Sequence, residues 1–70
     1  MPLVIAPLNT DLKIVKILVD EKLKKHLESL GITINAVIQV VSSSNGNCII
    51  QVRDSRLAID RHVATKLLVA

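Results

Sequence analysis

The sequence predicts a mainly β fold, a small partly open barrel of about five short strands with one α-helix after the first strand and a short helical turn before the last. Three observations predict it. Turn signals recur at short intervals between runs rich in Ile, Val and Leu, whose branched chains suit a pleated sheet. Aromatic residues are absent, so the core must be aliphatic. One helix end interrupts the β pattern: Leu27-Glu28-Ser29-Leu30-Gly31-Ile32 closes a stripe of Leu23, Leu27 and Leu30 at i, i+4 and i+7. Gly31 stands where a left-handed residue would stop that helix.

The elements follow in order. Met1 to Leu8 is apolar, but Pro2 and Pro7 interrupt it, no basic residue precedes it and no A-x-A-like site follows, so no signal peptide is expected. Pro7-Leu8-Asn9-Thr10-Asp11 reads as a turn. Leu12 to Val19 reads as the first strand, with Leu12, Ile14 and Ile17 apolar and Lys13 and Lys16 polar. Asp20 to Leu30 is the helix, with Asp20 as its cap. Ile32 to Asn35 turns the chain into a second strand, Ala36 to Ser42. A loop from Ser42 to Asn47 carries Asn45-Gly46, a hairpin signal, and Cys48 to Arg53 returns. Asp54-Ser55 leads to a fourth strand, Arg56 to Ile59. Asp60 caps a single helical turn, Arg61 to Thr65, and Lys66 to Val69 is the last strand.

Two strands break the alternation of an antiparallel sheet with one wet face. Val37, Ile38, Val40 and Val41 are apolar in both phases, as are Cys48, Ile49, Ile50 and Val52. Two explanations stand level. Either another protein or another copy of the chain buries a second face, or the strands curl and the helix or the termini cover it.

With 70 residues, the chain reads as one domain, residues 1–70, near the size where a single core needs help. A lone cysteine excludes an internal disulfide and fits a reduced, cytoplasmic setting. The apolar runs fall far short of the roughly 20 residues that span a bilayer, so no membrane insertion is expected. Much of the formal charge of +3 comes from Lys22, Lys24 and Lys25 on the helix, where lysines are ordinarily just solvated. With no aromatic stacking platform, nucleic acid is not the expected partner.

The order and spacing of several short motifs resemble the FeoA family, small cytoplasmic accessory proteins of bacterial ferrous iron transport. The family's Leu-x-x-Leu-Gly-(Ile/Leu/Met)-x-Pro-Gly segment reads here Leu27 to Asn35. Ser55-Arg56-Leu57-Ala58-Ile59 resembles its (Ser/Gly)-x-x-(Ile/Leu)-Ala-(Ile/Leu) strand, and Ala64 with Leu67-Leu68-Val69 its closing Ala-x-x-Ile-x-Val. Ile14-Val15-Lys16-Ile17 is typical of its first strand. Two departures matter: Ile34-Asn35 replaces the Pro-Gly, and Asn9 replaces a glycine common before the first strand. Asn tolerates positive φ best after glycine, so both turns should survive. The resemblance implies an SH3-like barrel and a non-enzymatic partner, or regulator, of the membrane transporter FeoB, whose cytoplasmic part carries a GTP-binding domain. The same barrel ends some metal-dependent repressors, where it makes protein contacts.

Searching for chemistry, we find no catalytic constellation. The two glycines, Gly31 and Gly46, build no phosphate-cradling loop. Cys48 sits in an apolar strand and reads as a small buried hydrophobe. His26, Glu28, Asp54, Asp60, His62 and Cys48 are the candidate metal ligands, but none has the close spacing of a metal motif. No cofactor or metal site is therefore assigned. The expected partner-binding residues are Leu27, Leu30, Gly31, Ile32, Thr33 and Ile34 at the helix end, with Arg56 and Arg61 as planar donors for an acidic patch. The expected partner is the cytoplasmic domain of a FeoB-type transporter, and a second copy of the chain is a further candidate, giving a homo-oligomer. The alternatives are a carrier of ferrous or other transition-metal ions and a nucleic-acid-binding SH3-like domain.

Overall fold

Turn chemistry divides the chain into five antiparallel strands, and the computed structural model describes residues 1–70. The strands are β1 (Leu12–Ile17), β2 (Val37–Ser44), β3 (Asn47–Val52), β4 (Ser55–Ile59) and β5 (Leu67–Val69). Helix α1 (Glu21–Ser29) follows β1, and the short helix α2 (Arg61–Lys66) joins β4 to β5. The spatial order is β4-β3-β2-β1-β5 in one open sheet, with every neighbouring pair antiparallel. This is the expected architecture. No helix is long and apolar enough to cross a membrane.

The inward phase of each strand supplies the core, because successive side chains point to opposite faces. Leu12 and Ile14 on β1, Ile38 and Val40 on β2, and Cys48, Ile50 and Val52 on β3 are all buried. Ile59, Ala64, Leu67 and Val69 close one side, and no polar side chain is buried with them. Leu3, within a 3-10 turn at Leu3–Ile5 that has no signal in the sequence, also enters this core. Nothing periodic marks three residues between prolines, and so only burial reveals the turn.

Several boundaries move. The first strand stops at Ile17 instead of Val19, and Leu18 and Val19 lead into the Asp20 cap. The expected loop from Ser42 to Asn47 shrinks to two residues, since β2 runs to Ser44 and β3 begins at Asn47. Asn45 and Gly46 hold φ of 54° and 84°, the left-handed pair that a two-residue hairpin needs to match strand twist. The pairing of β2 with β3 shifts between Val40 and Ser42, which takes Val41 out of strict alternation.

Both substituted turns keep the backbone the family pattern requires: Asn9 has φ of 56° and Asn35 of 72°. Helix α1 begins with the Asp20 carboxylate accepting the Leu23 N–H at 2.8 Å. It ends in a Schellman closure. The Gly31 N–H donates to Glu28 O and the Ile32 N–H to Leu27 O, each at 3.0 Å, with Gly31 at φ of 92°. That closure turns the chain sharply and drives Ile32 into the core.

Candidate functional site

The helix end divides into an inner and an outer set. Leu27 is 3 % exposed and Ile32 fully buried, so these two of the expected partner-binding residues lie inside the core. The α-helical period puts Leu27 under the helix, and the Schellman turn points Ile32 inward. Gly31 also has an internal duty. A Cβ there would stand 3.1 Å from Val52 Cγ1, so the bare backbone lets the helix end approach β3. Leu30, at 39 % exposure, and Thr33 and Ile34 remain on the surface.

The two arginines differ. Arg56, exposed on β4, donates from Nε to Gln51 Oε1 at 3.0 Å across the β3–β4 pair. Arg61 is exposed, but its stem lies over the β2–β3 turn: a Cβ on Gly46 would come within 2.7 Å of its Cγ. Its backbone N–H also donates to Asn47 Oδ1 at 2.9 Å. Arg61 therefore fastens α2 to a hairpin tip.

Sequence reasoning missed a groove. Leu23, His26, Leu27 and Leu30 of the α1 region face Ala58, Ile59, Asp60 and Val63 across it. Ala58, Ile59 and Asp60 also border a second, shallow groove of about 400 Å³ that runs past Ser42, Ser44, Asn47, Cys48 and Ile49. Ile49 pairs directly with Ala58, so both lie on the outer face of the sheet. Together Ile49, Ala58 and Leu30 mark an exposed apolar seam from the β3–β4 face to the end of α1. The apolar double phase of β3 was its sequence signal. Neither a helix nor a terminus covers that face: Ile49 is 40 % exposed, and Val37 on β2 is also exposed.

Among the candidate ligands, no three His, Cys, Asp or Glu side chains converge. Cys48 is buried, with Sγ donating weakly to Gly46 O at 3.6 Å. Asp60 caps α2 by accepting the Val63 N–H at 2.9 Å.

The sequence pattern of the FeoA domain matches residues 1–70. This chain belongs to the FeoA family. Membership makes it an accessory protein of ferrous iron transport. A crystal structure of an iron uptake regulatory protein (FeoA) shares 33 % identity, covers 100 % of this chain and 93 % of its own, and superimposes with a TM-score of 0.84. The FeoA protein from Chlorobium tepidum, at 15 % identity, covers 99 % of this chain and 68 % of its own, with a TM-score of 0.87. A FeoA-like protein from Clostridium acetobutylicum, at 17 % identity, covers 100 % and 84 %, with a TM-score of 0.81. These two share the fold, the small SH3-like barrel. No curated protein matches the chain.

Proposed function

We propose that this FeoA protein is a cytoplasmic binding module that docks on the cytoplasmic part of a FeoB-type ferrous iron transporter and biases its GTP cycle or gate. The observation that carries the reading is the exposed seam of Ile49, Ala58 and Leu30 on a chain of this family. An exposed seam of aliphatic side chains suits contact with a partner protein. Arg56 at its margin supplies planar donors for an acidic partner rim. The 33 %-identical FeoA protein is described as regulating iron uptake, which supports the regulatory sense. Regulation requires unequal affinity for two transporter states, because equal binding shifts no equilibrium.

Calorimetric titration against the isolated cytoplasmic domain of FeoB, with and without GTP, tests the reading. Saturable binding is expected, and Leu30→Glu should weaken it about tenfold or more by placing an unpaired charge in an apolar contact. Leu30 is exposed, so the fold should persist. Absence of saturable binding, or an unaffected Leu30→Glu variant, contradicts it.

A further inference from the structure

The sheet has two edges, and only one is finished. Along β5, Pro2 bridges Leu68, the Met1 amino group donates to Val69 O at 2.7 Å, and the Val69 N–H donates to Met1 O at 2.7 Å. Along β4, the ladder leaves alternate groups unused. Val52 pairs with Ser55 across the two-residue Arg53-Asp54 turn, so Ser55, Leu57 and Ile59 aim their N–H and C=O groups at β3. Arg56 and Ala58 then aim theirs away from the sheet, and no turn, loop or cap hydrogen bond reaches them. Both residues are exposed, and a groove separates Ala58, Ile59 and Asp60 from Leu23, His26, Leu27 and Leu30 of the α1 region.

The residues on that edge are self-complementary. A two-fold axis perpendicular to the sheet makes an isologous antiparallel pair, in which opposed residues share a face. Centred on Ala58, the pair sets Ala58 against Ala58 of the second copy. Arg56 then stands opposite Asp60 of that copy, and Asp60 opposite its Arg56. Ala58 brings two free backbone groups to the axis, Arg56 brings two more, and Asp60 keeps only its N–H because its carbonyl accepts the Ala64 N–H at 2.8 Å; the small Ala58 side chain lets the strands approach. One carboxylate oxygen of Asp60 caps α2, which leaves the other for the arginine. Shifting the centre to Leu57 would instead oppose Asp54 to Asp60 and lose both attractive pairs. Unpaired strand edges are templates for another strand, and this one carries no proline and no inward charge to blunt it.

We propose that the protein self-associates through β4, joining two sheets into one continuous sheet about a two-fold axis at Ala58. The interface is short, which makes it a weak, concentration-dependent dimer in the micromolar to millimolar range. This inference is independent of transporter docking, since its test contains no transporter. Because Ala58 belongs to the apolar seam, pairing covers part of that surface.

Sedimentation equilibrium across that range, with amide exchange read by NMR, provides the test. The expected result is a concentration-dependent doubling of the 7.6 kDa mass. Protection should rise with concentration at the Arg56 and Ala58 amides but stay constant at Leu57. Ala58→Pro removes only an outward donor, so it should abolish dimerisation while β3–β4 pairing persists. Arg56→Glu should weaken association about tenfold by setting two like charges opposite Asp60. Asp60→Asn, which keeps the cap, should weaken it less. The proposal is overturned if the chain stays monomeric to millimolar concentration, or if a dimer forms that a folded Ala58→Pro variant leaves intact. Protection appearing elsewhere, such as on Val37, would overturn it as well.

Discussion

At one edge of the sheet β5 is bonded to Met1 and Pro2, while at the other β4 keeps its outward N–H and C=O groups unpaired. The two edges are linked by α2, yet they rest on different residues. The sealed edge depends on Leu3, which is buried in the core and anchors the first residues of the chain. Around the open edge lie exposed residues: Arg56, Ala58, Asp60 and, across the groove, His26 and Leu30. One edge is closed by the start of the chain, and the other is left open. In a chain with 14 buried residues, that division leaves an apolar seam exposed without weakening the core.

Substitutions separate the two edges. Leu3→Ala should have the largest effect, a loss of about 2–5 kcal/mol in chemical denaturation, because it removes a buried side chain and loosens the cover on β5. A loss under about 0.5 kcal/mol, the range of ordinary surface changes, would mean that the terminal segment does not seal that edge. Gly46→Ala tests the tie that holds α2 between the edges. The left-handed φ costs an alanine about 1–2 kcal/mol, and the new Cβ must displace the Arg61 stem. An unchanged melting curve would show that this tie contributes nothing.

The smallest effect is expected beside the open edge and has the opposite sign. Arg53 holds φ of 55° in the β3–β4 turn, a conformation that side chains other than Asn and Asp rarely adopt. Arg53→Gly should stabilise the fold by up to about 1 kcal/mol. Destabilisation would show that Arg53 makes contacts worth more than its strain.

The same division explains what could be read from the sequence. Strand count, helix position, both acidic caps and the left-handed turns at Asn9, Asn35 and Asn45-Gly46 were legible, because each depends on local chemistry that survives in a linear string. The helix stop at Gly31 was equally plain. Its consequence was not: a Schellman turn reverses the chain and buries Ile32, while Leu30 two residues earlier stays exposed. The apolar double phase of β3 left two explanations level, a face buried by a partner or one covered by the chain itself, and Ile49 is uncovered within the chain. That Ile49, Ala58 and Leu30 form one seam depends on pairing between β3 and β4 and on the packing of α1, neither of which has a local signal. Arg61 looked like Arg56 in sequence and differs only because a hairpin tip fifteen residues away folds beneath its stem.

The most direct test of the docking account is an NMR titration of the labelled chain with the FeoB cytoplasmic domain, read residue by residue. Perturbed amides should cluster at Leu30 to Ile34, Ile49 and Ala58, leaving the outward residues Lys13, Val15 and Val37 of β1 and β2 unchanged. Perturbation centred on Lys13, Val15 and Val37, or none at saturating concentration, would contradict it.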